Sequence, residues 1–469
     1  MSAKNIHFYY KNVCEEILGP EHGITSGQFA DLAKKTTPLI ERLNQERKSG
    51  KIPYRDLPYH SRYPKEVKEL AARLQQECEN FVVLGIGGSA LGNIALQTAL
   101  NPYLYNLDSK QRKGPRLFVF DNVDPVQFGS FLDWIGDQLN KTVFNVISKS
   151  GQTAETAAQF LVIRQMLLER LGPEGYKKQI VATTDPKKGT LRAITDKAGF
   201  RALEVPDGVG GRFSVLSPVG LLSAAVCGID IEALLEGARQ MDERVSRTDF
   251  FANPAALNAA IQWHYYQRGK RISVMMPYCH ALKDLSDWYR QLWAESLGKK
   301  TDLDGRAVFV GPTPVNALGT TDQHSQVQLY REGPNDKVFT FLQVRQFKRD
   351  VVMGDCPPEA PELGYLARAS MAKLLNSEKL ATEYALIQDK RPCLTVIFDS
   401  VCPETVGQFF YLYEVTTSLA GMLFHINAYD QPAVELGKEA TFALMGRAGY
   451  EEMAKKIRPF QETDSRYLV

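Results

Sequence analysis

Six short segments of this 469-residue chain carry side chains whose type and spacing could do chemistry. Gly85-Ile86-Gly87-Gly88-Ser89-Ala90 follows the apolar run 81–84. Glycines let a backbone come close to a ligand and point amides into a concavity, and a following helix adds its positive end, so the string suits phosphate. It also satisfies Gly-x-Gly-x-x-Ala, a dinucleotide fingerprint, and would serve as a tight structural turn. Ser148-Lys149-Ser150-Gly151-Gln152-Thr153 follows a second apolar run, 143–147, with three hydroxyls, a lysine and a helix start. Capping by Ser or Thr beside an exposed lysine is the plainer reading of that string. Two such loops at corresponding strand ends favour one shared anion site, because open parallel sheets bind ligands beyond their carboxyl edge.

Four further residues could move protons or hold charge. Arg212, in Gly210-Gly211-Arg212-Phe213-Ser214, sits on a glycine-supported loop and could stabilise a developing negative charge; it could also be a surface arginine on an ordinary turn. Glu295 projects between Trp288 and Gln291 at ~100° per residue, on a largely apolar helix face close to a Gly298 cap. Burial and the negative end of the helix dipole both raise a carboxyl pKa, which suits a general base near neutral pH. The alternative is a surface pair with Lys299 or Lys300. His324, one of only seven histidines, is a candidate proton carrier, though a lone histidine is more often structural. Lys438 falls one to two turns into a helix opened by Pro432, where it could donate a proton or bind an oxyanion, or be an ordinary solvated lysine.

Alternating strands and helices must position these groups. Runs 81–84, 117–120, 143–147 and 179–182 read as strands, each followed by ten or more helix-like residues. Asp124-Pro125 and Ser217-Pro218 are cap-then-proline helix starts. The pattern recurs with strands at 272–276, 307–310, 338–342 and 394–398. Continuous apolar strands separated by helices predict a parallel sheet covered on both faces. The expected organisation is an N-terminal arm or helical layer (1–55), a first α/β lobe (56–230), a connecting helix (231–253), a second lobe (254–430) and a C-terminal helix and tail (431–469).

Composition narrows the function classes. Apolar residues make up 44% and charged residues 23%, which is globular. Lys plus Arg (56) nearly balance Asp plus Glu (54), so neither nucleic acid nor an anionic membrane is expected as a partner. Seven cysteines with no Cys-x-x-Cys pair and no apolar leader predict free thiols in a reducing cytoplasm. The longest uncharged run, 213–229, is interrupted by Ser, Pro and Gly and falls short of a membrane span; it reads as a loop and a buried helix. No metal-ligand, Walker or Gly-x-Ser-x-Gly spacing is present.

Taken together, the segments resemble the glucose-6-phosphate isomerase (phosphoglucose isomerase) family. DGVGGRFSVLSPVG, 207–220, resembles the family's arginine-loop signature, and GMLFHINAYDQPAVELGK, 421–438, its second signature, with Ala433 where the family usually has glycine. The resemblance covers roughly residues 80–440 and implies two sugar-isomerase lobes, no cofactor and no metal. It implies a homodimer in which the neighbouring subunit supplies His324. Carried over position by position, it makes Glu295 the base, His324 the ring-opening group with Lys438, and Arg212 the stabiliser of a cis-enediolate. It places substrate contacts at Gly88, Ser89, Ser148, Lys149, Ser150, Thr153, Gln291 and Gln431. The implied reaction is reversible isomerisation of glucose 6-phosphate to fructose 6-phosphate. A mannose 6-phosphate side activity stays open. Two rivals are an NAD-dependent dehydrogenase built on Gly85–Ala90, with Asp121 as ribose partner some thirty residues on, and a non-catalytic sugar-phosphate sensor.

Overall fold

The computed structural model describes residues 4–469. The chain opens with a short strand, β1 (Ile6–Tyr9), and a long helix, Ser26–Lys48, whose Thr25 and Gln28 form a reciprocal capping box. The first sheet follows: β2 (Asn80–Leu84), β3 (Arg116–Phe120), β4 (Thr142–Ile147), β5 (Ile180–Thr184) and β6 (Arg201–Glu204). All neighbours are parallel, in the order β3-β2-β4-β5-β6. Every residue of β2, β4 and β5 is buried, as strands covered by helices on both faces must be. Asp124 accepts from the Val126 and Gln127 amides to start Pro125–Ile135, and Ser217 accepts from Val219 to start Pro218–Val226, so both cap-and-proline starts form.

The second sheet contains β7 (Ile272–Pro277), β10 (Thr313–Asn316), β11 (Lys337–Gln346) and β12 (Cys393–Ser400), mutually parallel, in the order β1-β12-β11-β7-β10. Strand β1 closes one edge antiparallel, with Ile6 opposite Phe398 and Tyr9 opposite Thr395. The predicted strand 307–310 exists as β9 (Ala307–Val310) but lies outside this sheet. It pairs antiparallel with β8 (Lys299–Thr301) in a separate ribbon. An apolar run of four does not reveal which sheet will take it. The edge position belongs instead to β10, whose Pro314 lacks an amide donor and is tolerated because β10 has only β7 as neighbour.

Helix Pro403–Leu423 is buried almost all round, against Ile231–Val245, Pro254–Gln267 and Lys283–Leu297. An apolar surface on every side is what a central helix of a large protein shows. No helix among the described residues is long and apolar enough to cross a membrane. The helix that follows the first glycine loop, Leu91–Leu100, packs against Lys283–Leu297, which follows β7. That contact joins the first sheet's loops to the end of the helix carrying Glu295.

Candidate active site

The first sheet reverses direction at β2. The chain leaves β2 for β3 on one side and returns to β4 on the other. The two loops facing each other across this switch point are the glycine string after β2 and the serine-lysine string after β4. A crevice outside the carboxyl ends of such strands is where open α/β sheets bind ligands. In the second loop the Ser148 hydroxyl accepts from the Gly151 amide at 3.0 Å and lies 3.5 Å from the Thr153 hydroxyl. Ser150 accepts from the Gln152 amide at 3.1 Å. Gly151 is at φ +70°, and a Cβ there would lie 2.2 Å from the Leu191 nitrogen, so glycine is required for the fold of the loop. Lys149 Nζ stands 3.8 Å from Asp207, at the start of the loop that carries Arg212.

Three segments meet at Arg212. A Cβ on Gly88 would fall 2.2 Å from the Gly211 carbonyl carbon, so the glycine string and the arginine loop are in backbone contact. Arg212 is only 4% exposed, and its guanidinium is almost fully committed. Nε donates to Ser296 Oγ at 2.7 Å, Nη1 to Gln431 Oε1 at 2.9 Å, and Nη2 to the carbonyls of Ala428 (2.7 Å) and Asp430 (3.2 Å). Nη1 also stands 3.3 Å from Glu295 Oε1. Burial pulls this guanidinium below its ordinary value, and Glu295, Asp430 and Tyr429 oppose the shift. The surface-arginine alternative is therefore excluded.

Glu295 lies three residues before the C-cap of its helix, with its side chain 26% exposed. Gln291, one turn earlier, donates from Nε2 to Glu295 Oε2 at 3.0 Å. The pair with Lys299 or Lys300 does not form through the carboxylate. Lys299 instead donates to the main-chain carbonyl of Glu295 at 2.8 Å. The carboxylate thus has one oxygen on an arginine and one on an amide, with a quarter of its surface open. Gln291 Nε2 would lie 2.8 Å from a Cβ on Gly87, which fixes the glutamine against the glycine string. A held carboxylate beside a held cation, against the glycine string, can remove a proton and stabilise the charge left behind.

Residues 68–457 match the family model described as phosphoglucose isomerase. The chain belongs to the phosphoglucose isomerase family. The glucose-6-phosphate isomerase of Carboxydothermus hydrogenoformans is 46% identical over 426 residues, 90% of this chain and 91% of its own length. That of Rubrobacter xylanophilus is 43% identical over 450 residues, 95% and 99% of the two chains. A crystal structure of a hypothetical protein from Thermus thermophilus superposes with a TM-score of 0.80 at 33% identity, covering 94% of this chain and all of that one.

Within this phosphoglucose isomerase fold, two of the candidates stand apart from the Arg212 cluster. His324 ends the short turn Thr321–Gln323 on the loop beyond β10 and is exposed. No side-chain hydrogen bond to it occurs among the described residues. Lys438 lies in the first turn of Glu435–Leu444, about half exposed, and donates to Glu435 at 2.8 Å. The segment beyond it returns toward the serine-lysine loop, where Arg447 donates to Gln152 at 3.4 Å.

The structure also adds residues that local sequence reading did not single out. Ser296 holds Arg212, but nothing in its own neighbourhood marks it. Tyr54 stacks 4.8 Å from Phe213, the residue after Arg212, and shares a 2.6 Å hydrogen bond with Ser418. The Tyr429 ring lies 5.6 Å from the same Phe213, closing an aromatic wall behind the arginine loop. Aromatic pairs at such separations contribute about 0.5–1.5 kcal/mol beyond area burial, which favours a rigid arginine over an adaptable one.

Proposed function

We propose that Glu295 and Arg212 carry the family's reaction, the reversible isomerisation of glucose 6-phosphate to fructose 6-phosphate, as base and as enediolate stabiliser. The observation that carries this reading is the 3.3 Å Arg212–Glu295 pair beside a glycine string, with the arginine held by four hydrogen bonds. The phosphate sits on Ser148, Lys149, Ser150 and Thr153, away from the reacting carbons. Binding energy from that remote group holds C1 and C2 in place. Gly88 and Ser89 contribute backbone and hydroxyl beside it. Glu295 takes the C2 proton, the electron pair of that bond forms the enediolate, and Arg212 stabilises the oxyanion with little reorganisation because it is already fixed. The O2 hydroxyl proton passes to O1, and protonated Glu295 delivers its proton to C1, leaving the carbonyl at C2. Gln431 shares the guanidinium, and the buried Gln291 Oε1, which has no partner among the described residues, is an acceptor for a sugar hydroxyl.

Ring opening falls to His324 with Lys438. His324 is exposed and makes no side-chain hydrogen bond among the described residues, which supports a homodimer in which it completes the partner's site. Glu295→Gln and His324→Ala subunits, unfolded together and refolded, test this directly. Random pairing makes half the dimers hybrid, each with one intact site, so about a quarter of wild-type activity should return above the sum of the parents. No gain on mixing would place His324 in the site of its own chain. The seven unpaired cysteines support a reducing, cytoplasmic setting for the enzyme.

A further inference from the structure

We infer that Lys299 is a positioning residue for this isomerisation, locking the base Glu295 to the loop that carries Gln431 and leads to Lys438. The inference rests on the proposed role of Glu295. Lys299 follows Gly298, the C-cap of the Glu295 helix, and begins the β8–β9 ribbon. Its side chain is only 6% exposed. The ammonium donates to the Glu295 carbonyl at 2.8 Å and to the Asp430 carbonyl at 2.9 Å, and stands 3.6 Å from Asp430 Oδ1. Arg212 donates to that same Asp430 carbonyl. Two cations from different segments therefore converge on one carbonyl, next to Gln431. The ribbon adds a third tie, since the Leu303 amide donates to the His425 carbonyl at 2.9 Å.

The tie has an electrostatic side. The Glu295 carbonyl belongs to the last turn of its helix, where carbonyls lack intrahelical partners and the dipole is negative. A carboxylate on that turn is penalised unless a cation offsets the dipole. Lys299 satisfies the carbonyl and supplies the cation. The charged groups around the base are then Arg212 from the glycine-supported loop, Lys299 after its own helix, and Asp430 from the 424–431 loop. Burial, then the neighbouring Arg212 charge, pull Lys299 below the usual ammonium value, with Asp430 and Glu295 opposing. A buried cation kept against that pull is expensive to hold at this spot for packing alone.

Removing the Lys299 charge disfavours the ionised base, so the acidic limb of the kcat/KM–pH profile must move upward. Lys299→Met is expected to lower kcat/KM for fructose 6-phosphate by about 10–100-fold, mostly in kcat, as loss of alignment at a reacting centre does. Lys299→Gln keeps a donor without the charge and should move the limb similarly with a smaller loss in kcat. Lys299→Arg should leave the limb in place. Purely structural damage would lower activity without moving the limb. A limb unmoved in both neutral variants, or moved as far by Arg as by Gln, overturns the inference. If Lys299→Met does not fold, the Gln and Arg variants decide alone. Failure of the base reading would show separately, as turnover surviving in Glu295→Gln.

Discussion

Glu295→Gln is expected to lower kcat by at least ~10²-fold with little change in KM, the scale of a lost general base. Glutamine keeps the length and shape of the side chain, so the serine-lysine loop and the Gly88–Gly211 contact are untouched. It cannot take a proton from carbon. The neighbouring Arg212 loses its carboxylate partner but keeps its hydrogen bonds to Ser296, Gln431 and two carbonyls, so it stays in place. A thermal melt identical to wild type would show that the loss is chemical. Near-normal turnover of fructose 6-phosphate, followed through a coupled glucose-6-phosphate dehydrogenase, would remove Glu295 from the role.

The largest effect on stability is expected at Asp242. This carboxylate accepts from the fully buried Arg55 at 2.6 Å, from Arg47 at 2.6 Å, from Tyr59 at 2.7 Å and from Tyr411 at 2.8 Å. It joins the helices Ser26–Lys48, Ile231–Val245 and Pro403–Leu423 to the turn Pro53–Tyr59, which also carries Tyr54. Asp242→Ala leaves Arg55, which is inaccessible to water, without its anion, and leaves Arg47 with Asp56 alone, at a cost of about 3–5 kcal/mol. A urea midpoint shift measures it, and a loss below about 1 kcal/mol would contradict the assignment. Burial disfavours the charged form, but Arg55 and the hydrogen bonds outweigh it and hold the Asp242 carboxyl at about 2. Because the folded value lies below the unfolded one near 4, its stabilisation is complete above that unfolded value. It is lost as pH falls toward 2. Asp242→Ala should therefore show a flatter loss of stability with acid over that window than the wild type.

What was legible in the sequence was what local pattern dictates. β2, β4 and β11 announce themselves as apolar runs because both faces of their sheets are covered. The glycine and serine loops stand out because their composition answers to the turn they make. Other features depend on partners far along the chain. β1 reads as part of an N-terminal arm, because its pairing with β12 spans nearly four hundred residues. β10 hides behind Pro314, which only an edge position tolerates. Residue 307–310 apolarity suggested the second sheet, but the run pairs back on β8 in a short ribbon. Within the site, Glu295 was visible from its helical projection, whereas its pairing with Arg212 was not. Eighty-three positions separate the two, and tertiary packing, including Leu91–Leu100 on Lys283–Leu297, brings them together. Lys299 was weighed as a surface partner for the Glu295 carboxylate. The helix ends so that it reaches the main-chain carbonyl instead. Arg55 and Asp242 look like ordinary charged residues in sequence, because burial of a charge is a property of its partners.

The most direct test of proton transfer through Glu295 is isomerisation of glucose 6-phosphate in D2O, with the product followed by NMR. A proton resting on a carboxylate that is a quarter open exchanges with solvent during some turnovers. Deuterium should therefore appear at C1 of fructose 6-phosphate, and Glu295→Gln should lose both the exchange and the isomerisation. Full turnover with no deuterium at C1 would indicate a direct hydride shift between C2 and C1, and would contradict the enediolate route.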